Sequence, residues 1–301
     1  MDPMSMTIEQ IASSHYLPEK RVTRRANTVE GYESSINLHV LPRWGTLTIT
    51  EIRRDDIQSW VREFEKPGAA KKAFTCLRQI LRWAIRKLSL LVADPTLGIE
   101  LPRMRKYRFE TLNSREYVER LRTFWGHPLE PVVILEMGLG LRPGEAYALQ
   151  WRDIDMRSGE VVVNKTLQQT KGRELHVYPT KTPSGDRLLY LVGDMLKRLR
   201  DIWRSLGRPQ GRIIGDLSPA AVASRLRRFA RKARIKDIAI RNLRHTWATL
   251  AADAGVPIEV IGPLLGHSSI EVAYQRYMKP TKRLAVDAQK ALLGHVLKFS
   301  Q

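Results

Sequence analysis

Residues 131–145 read PVVILEMGLGLRPGE and place one cation, Arg142, at the end of an apolar run. A buried guanidinium is costly unless an anion pairs with it. Pro143 favours a helix start and Glu145 falls in the first turn of that helix, where the backbone dipole attracts a bound phosphate. The segment therefore predicts an anion site at Arg142, and an internal ion pair with Glu145 or Asp153 is the alternative.

A second cluster of cations lies at residues 241–245, RNLRH. Arg241 and Arg244 are three residues apart and share one face of a predicted helix. Two guanidinium groups on one face match the non-bridging oxygens of a single phosphate. A solvated basic face is the alternative, and we expect His245, which points elsewhere on the helix, to pack in the core.

Residues 264–277, LLGHSSIEVAYQRY, end one helix and begin another. Gly266 is predicted to cap the first helix, with His267 on the turn that follows. Pro263 should bend or end that helix, because proline removes a backbone hydrogen bond. Taken alone, His267 and Tyr277 are typical of structural residues.

The charge of the chain predicts a polyanionic partner. Lys and Arg number 51 against 31 Asp and Glu, and the net charge of +20 is spread over both halves of the chain. Nucleic acid fits such a surface better than a membrane does. No apolar stretch approaches the roughly 20 residues that span a bilayer, so we expect no membrane association. The single cysteine, Cys76, excludes an intrachain disulfide, fits a reducing cytoplasm and is expected in the core.

The first half of the chain is predicted to be an all-helical domain. Three segments read as helices, residues 28–39, 55–64 and 69–91. In the last of them, apolar residues recur at helical spacing and form one stripe: Ala73, Leu77, Ile80, Leu81, Ala84 and Leu88. Turns are predicted at Pro42 and Gly45 and at Pro67 and Gly68. We expect an N-terminal extension at residues 1–20, the helical domain at residues 21–97 and an interdomain linker at residues 98–112.

The second half predicts a mixed domain, residues 113–282, followed by a C-terminal helix and tail, residues 283–301. Asn113 and Glu116 form a capping-box pattern that starts its first helix. Three β-like pieces, residues 160–167, 174–179 and 187–192, are rich in Val, Leu, Thr and Tyr. The predicted fold class is therefore mainly α with a small antiparallel β-sheet.

The motifs, taken in order, resemble those of the tyrosine recombinases, the phage integrase family. They are Gly140-Leu141-Arg142, Leu243-Arg244-His245-Thr246, Leu265-Gly266-His267-Ser268-Ser269 and Tyr277. The resemblance spans residues 28–277, because the helical half also looks like the family's core-binding domain, with its Leu41-Pro42 and Trp44-Gly45 turn. It implies a helical core-binding domain joined to a mixed α/β catalytic domain.

The resemblance also implies roles for individual residues. Arg142 and Arg244 would clamp the scissile phosphate, and His267 would be a third hydrogen-bond donor. Tyr277 would attack phosphorus, which forms a 3′-phosphotyrosyl link and frees a 5′-hydroxyl. No cofactor is expected, because that ester keeps the bond energy needed for rejoining.

Two further catalytic positions follow from the resemblance. Lys181 matches the family's general acid and would protonate the leaving 5′-oxygen, with Lys171 in the preceding turn as the competing candidate. Arg241 stands where the family usually has histidine. It still donates hydrogen bonds to phosphate, but it is always protonated and cannot be a general base.

Double-stranded DNA is the implied partner, bound by a homotetramer on paired half-sites. The terminal helix, residues 284–297, is a candidate for docking onto a neighbouring protomer. Arg103, Arg105 and Lys106 in the linker are expected to face DNA. The expected role is site-specific recombination, such as integration of a mobile element, in the cytoplasm at the bacterial nucleoid.

Three other functions are alternatives. A metal-dependent nuclease or transposase would use Asp153 and Asp155 as ligands, although two-metal sites need more converging carboxylates. A non-catalytic DNA-binding protein on the same fold would bind DNA without turnover. A type IB topoisomerase shares the chemistry and would relax supercoils without site preference.

Overall fold

A computed structural model of the chain describes residues 3–89, 93–104 and 109–267. The chain divides into two compact units, one made of Met1–Tyr107 with Thr170–Arg173 and the other of Arg108–Gln169 with Glu174–Gln301. Each unit has an apolar core of its own. The described residues are mainly α-helical with short antiparallel strands, which confirms the predicted fold class.

The first unit is built from helices. They are α1 (Ile8–Gln10), α2 (Leu17–Thr23), α3 (Ala26–Ser35), α4 (Leu41–Trp44), α5 (Arg54–Arg62) and α6 (Pro67–Lys87). Two π-helical segments, Ile11–Tyr16 and Ile36–Val40, join α1 to α2 and α3 to α4. Five residues of α6 form the predicted apolar stripe and are buried: Ala73, Leu77, Ile80, Leu81 and Ala84. Cys76 is buried in the same core, as expected.

The N-terminal residues belong to this core. We expected residues 1–20 to be an extension outside the helical domain, but Ile8, Ile11 and Tyr16 are buried in the core of the first unit. The Tyr16 hydroxyl donates to Gln79 Oε1 on α6 at 2.8 Å. Ile11 and Tyr16 are five residues apart, a spacing that fits the wider turn of the π-helical segment and not the α-helical period.

The helical path continues past the predicted stop at residue 39. It runs through the segment Ile36–Val40 into α4, which Gly45 caps. Pro42 fits because it lies in the first turn of α4, where proline is tolerated. Pro67 likewise begins α6, two residues before the predicted start. Pro67 therefore opens a helix and Pro42 lies within a continuing helical path, where the sequence pattern predicted turns.

The other helices of the described residues belong to the second unit. They are α7 (Ser114–Thr123), α8 (Glu130–Leu139), α9 (Pro143–Ala148), α10 (Gly193–Ser205), α11 (Pro219–Lys232), α12 (Ile240–Asp253) and α13 (Ile258–Leu265). Asn113 Oδ1 accepts from the Glu116 backbone N–H at 2.9 Å, as the capping-box pattern predicts. Almost every side chain of α8 is buried. Of all the described helices, none combines the length and the apolar character that crossing a membrane requires.

Four short strands take the place of the three predicted pieces. They are β1 (Glu160–Val163), β2 (Lys165–Gln169), β3 (Leu175–Pro179) and β4 (Arg187–Tyr190). β1 pairs antiparallel with β4, and β2 pairs antiparallel with β3. The predicted strand 160–167 is split at Asn164, whose carbonyl accepts from the Thr180 N–H at 3.0 Å. The pattern missed this break because no glycine or proline marks it.

Candidate active site

The turn between α8 and α9 positions Arg142. Gly140 caps α8 in the left-handed conformation, with φ at 61°. A Cβ at Gly140 would lie 2.8 Å from the Leu265 side chain and 3.0 Å from that of Trp247. Glycine is therefore needed both for the turn and for the close approach to α12 and α13. Arg142 follows as the residue before Pro143, the first residue of α9.

Two hydrogen bonds hold the Arg142 guanidinium in place. Its Nη1 donates to Glu145 Oε1 at 2.6 Å, and its Nη2 donates to the Gly266 carbonyl at 2.9 Å. The Glu145 carboxylate also accepts from the Arg142 backbone N–H at 3.0 Å. The internal ion pair offered as the alternative is thus present. The Arg142 side chain remains 44% exposed, so its guanidinium is still accessible to a ligand.

Arg244 reaches the same place from α12. Its side chain is buried and donates to the carbonyl oxygens of Gly140, at 3.1 Å, and Leu265. Its Nη1 lies 3.9 Å from Glu145 Oε2. Arg241, one helical turn earlier, is exposed. The two arginines therefore differ: Arg244 is built into the site, and Arg241 lies at the protein surface.

The end of α13 brings His267 to these arginines. Gly266 caps the helix with φ at 64°, as predicted, and the His267 N–H donates to the Gly262 carbonyl at 3.0 Å. Pro263 lies inside α13, which ends two residues later. His267 is half-buried and directly follows Gly266, whose carbonyl Arg142 binds. His267 therefore directly follows Leu265 and Gly266, whose carbonyls bind Arg244 and Arg142.

Arg187 is a member of the cluster that the sequence did not predict. It begins β4, and its side chain is only 7% exposed. Nη2 and Nη1 donate to the two oxygens of Glu145 at 2.8 and 3.3 Å. Nε donates to the Leu264 carbonyl at 2.8 Å, and Nη1 donates to the Gly185 carbonyl at 3.0 Å. Its burial depends on partners far away in the sequence, which a local pattern does not reveal.

The candidate general acids lie on the two turns that follow β2 and β3. Lys181 is exposed and lies between β3 and β4. The same connection contains Gly185, whose carbonyl binds Arg187. Lys171 lies in Thr170–Arg173, the segment grouped with the first unit. Lys181 therefore belongs to the second unit. The loop that contains it also contains Gly185, which contacts the arginine cluster.

The cluster carries excess positive charge. Arg142, Arg187 and Arg244 supply three positive charges and Glu145 supplies one negative charge, which leaves an excess of two. Burial alone would raise the pKa of Glu145, but hydrogen bonding and charge from Arg187, with the charge of Arg142, hold it below its usual value. Glu145 therefore stays ionised, and the cluster suits a further anion.

The other predicted residues are placed as follows. Arg103 is exposed, whereas Arg105, Lys106 and Tyr277 lie outside the described residues. His245 is buried and stacks on Phe109 at 3.6 Å between ring centroids, which confirms that it packs in the core.

The two carboxylates of the metal hypothesis have other partners. Asp153 forms an ion pair with Lys165, with 2.7 Å between Oδ2 and Nζ. Asp155 accepts from the Arg157 backbone N–H at 2.7 Å and so closes a turn. These contacts account for both side chains as parts of the scaffold next to β1.

Two family models match the chain. The phage integrase family matches residues 128–283, and the phage integrase N-terminal SAM-like domain matches residues 12–64. The second match begins inside the helical segment that contains Ile11 and Tyr16. The two models together therefore cover parts of both structural units.

Individual proteins agree with these models. A tyrosine recombinase XerC-like protein of Caldanaerobacter subterraneus is 24% identical over 97% of this chain and 84% of its own length. The Tn1549 transposon integrase, solved with transposon right end DNA, superposes with a TM-score of 0.79 at 18% identity, over 96% of this chain and all of that one. A lambda integrase dimer bound to a COC′ core site gives a TM-score of 0.68 at 19% identity, over 93% and 79% of the two chains.

The family match covers more than half of the chain and includes every motif from Arg142 to Tyr277. It lies largely within the unit that contains Arg142, Arg244 and His267. The chain therefore belongs to the phage integrase family and is a tyrosine recombinase, an enzyme of site-specific DNA recombination.

Proposed function

We propose that Arg142, Arg244 and His267 surround one scissile phosphate while Tyr277 attacks its phosphorus. One observation carries this proposal. Arg142 and Arg244 both pair with Glu145, and they donate to the adjacent carbonyls of Gly266 and Leu265. Two guanidinium groups held this way present an excess of charge to a phosphate and to the more highly charged transition state.

The chemistry is a transesterification. The Tyr277 hydroxyl releases its proton to water, and its oxygen forms a bond to phosphorus as the bond from phosphorus to the 5′-oxygen breaks. Lys181 gives a proton to that leaving oxygen. A phenol has an unperturbed pKa of about 10, so nearby cations assist by favouring the phenolate. The reverse attack by a 5′-hydroxyl rejoins the strand and releases Tyr277, and no external energy source is needed.

Phosphate binding requires a limited exchange of hydrogen bonds. Arg244 now donates to two carbonyl oxygens, while the half-exposed Arg142 is accessible from solvent. In this proposal Arg142 binds the phosphate first. Arg244 then donates some of its N–H groups to phosphate oxygens and keeps others on the backbone carbonyls. Arg241, which is exposed, would add a further donor to the phosphate.

The whole chain is proposed to grip double-stranded DNA with both of its structural units. Arg103, which is exposed, and Arg105 and Lys106 would bind backbone phosphates between them. Such contacts make affinity fall steeply with salt. The Tn1549 integrase is solved in complex with transposon right end DNA, and the lambda integrase is solved bound to a core site.

Assembly and location are part of the proposal. Lambda integrase is seen as a tetramer bound to a Holliday junction. We expect a homotetramer on paired half-sites here, with residues 284–301 docking onto a neighbour, at the nucleoid of a bacterial cytoplasm. Deleting residues 284–301 should abolish the tetramer on DNA in sedimentation experiments, and an unchanged tetramer would remove the docking role.

A nicked suicide substrate tests the proposal. The wild-type chain should form a DNA adduct that survives denaturing electrophoresis, also in excess chelator, whereas Tyr277→Phe should bind DNA equally well and form none. Binding without any adduct in the wild type would favour the non-catalytic alternative. Relaxation of supercoils without site preference would favour a topoisomerase, and loss of the adduct with chelator would favour a metal enzyme.

A further inference from the structure

Arg187 joins three parts of the second unit through one guanidinium. It binds the Glu145 carboxylate of α9 with two nitrogens, the Leu264 carbonyl of α13 with Nε and the Gly185 carbonyl with Nη1. These partners lie 42, 77 and 2 residues away in the sequence. Each of the three nitrogens therefore has a protein acceptor, and the side chain is held in one orientation.

Each partner of Arg187 adjoins a residue of the proposed reaction. Glu145 pairs with Arg142 and Arg244. Leu264 is three residues before His267, and Gly185 lies in the connection that contains Lys181. A Cβ at Gly266 would lie 2.8 Å from the Ser184 carbonyl and 3.1 Å from Arg187 Nη1. The connection between β3 and β4 and the cap of α13 are therefore in direct contact at Arg187.

We propose that Arg187 is a positioning residue that aligns the arginine pair, the histidine and the general-acid lysine with one another. The inference rests on the proposed function, because it takes Arg142, Arg244, His267 and Lys181 as the reacting set. Arg187 itself would not touch the phosphate, since its side chain is almost fully enclosed. It would act by holding the Glu145 carboxylate and the backbone carbonyls of Leu264 and Gly185 in place.

Lysine is a poor substitute for this role. A guanidinium is planar and directs several donors in fixed directions, whereas an ammonium is a compact charge on a flexible stem. Arg187→Lys keeps the charge opposite Glu145 but cannot bind Leu264 and Gly185 at the same time. Arg187→Lys therefore separates the positioning role from charge compensation.

A second ion pair in the same unit, with an equally buried carboxylate but a more exposed arginine, controls for effects on stability. Arg198 binds buried Glu130 with two nitrogens, at 2.6 and 3.0 Å, as Arg187 binds Glu145. This pair joins α10 to α8 and holds no residue of the reacting set. Arg198→Lys should therefore lower thermal stability without changing the cleavage rate of folded protein.

Single-turnover cleavage at saturating DNA tests the inference. We expect Arg187→Lys to cleave at least about tenfold more slowly than wild type, with a DNA Kd within about twofold and with native circular dichroism. A wild-type rate for Arg187→Lys, or an equal loss in Arg198→Lys, would overturn the inference. An adduct that persists in Tyr277→Phe would instead overturn the proposed function, so the two failures are distinguishable.

A substrate with sulfur in place of the bridging 5′-oxygen examines the lysine half of the inference. A thiolate leaves without needing a proton, because a thiol is far more acidic than an alcohol. The reduction in cleavage rate caused by Arg187→Lys should therefore be smaller on this substrate. The reduction that remains should reflect the misaligned arginines. An identical loss on both substrates would contradict a positioning role toward Lys181.

Discussion

Arg142 Nη2 donates to the Gly266 carbonyl at 2.9 Å, across 124 residues of chain. This bond places the residue before α9 beside Gly266, the cap of α13, and His267 directly follows that glycine. The Glu145 carboxylate binds the other side of the same guanidinium. The site is therefore held together by partly buried polar contacts between distant segments, and its properties should change sharply when one contact is removed.

Glu145→Gln should damage both folding and catalysis. The change keeps the shape but leaves Arg187 and Arg244 buried without their carboxylate, which typically costs about 3–5 kcal/mol. We expect a loss of that size in urea unfolding and at least about a tenfold slower cleavage by the folded fraction. Glu130→Gln is the matched control, because its carboxylate is equally buried and pairs with Arg198. Slower cleavage in both variants would contradict a specific role for Glu145.

Arg142→Lys should cleave DNA at least about 100-fold more slowly, the loss typical of removing one transition-state donor. The lysine keeps the charge but not the geometry that reaches both Glu145 and Gly266. Single-turnover kinetics at saturating DNA measure the effect. Arg152→Lys, an exposed position of the same unit, serves as control. A near-native rate for Arg142→Lys would show that the residue is only structural.

Gly266→Ala should disturb the site more than its backbone conformation alone explains. A left-handed residue with a Cβ costs about 1–2 kcal/mol, and here the Cβ would also lie 2.8 Å from the Ser184 carbonyl. Gly255→Ala is the control, since Gly255 has φ at 87° and nothing within 4 Å of its Cβ position. Thermal melts and cleavage rates should show a larger loss for Gly266→Ala. Equal losses would mean that the contact with Ser184 is unimportant.

Glu136 should make stability depend on pH. Burial raises its pKa to about 8, against the opposing effects of Arg120 and Tyr147. Between the unfolded value of 4.5 and about 8, the folded state keeps a proton that the unfolded state has lost, so the free energy of unfolding falls as pH rises. Glu136→Gln removes this titration. The melting temperature of Glu136→Gln relative to wild type should therefore rise across this range, and a constant difference would contradict the assignment.

Local patterns in the sequence predicted a large part of the site. A cation after an apolar run marked Arg142, and glycine at a helix end marked the turn before His267, which the structure confirms at Gly266. The paired arginines of α12 were only partly predicted. Arg244 is buried and Arg241 is exposed, because two residues on one helix face need not be covered equally by neighbouring elements.

Features that depend on distant contacts were not predictable. Arg187 sits in a short strand and is buried only because Glu145 and Leu264 meet it in the folded unit. The break at Asn164 arises because β1 and β2 pair with different strands, which no local residue signals. The N-terminal helices were missed because their apolar residues follow a π-helical spacing. Tyr277 stays a prediction from its motif, since it lies outside the described residues.

The central claim is that Arg142 and Arg244 act on a single phosphate, and a neutral phosphate tests it most directly. Single-turnover cleavage is measured with a methylphosphonate at the scissile position, and again with it one nucleotide away. The charge that the arginines neutralise is then absent only in the first substrate. The cleavage defects of Arg142→Ala and Arg244→Ala should both shrink with the scissile methylphosphonate and remain unchanged with the displaced one. Defects of equal size on both substrates would contradict the claim.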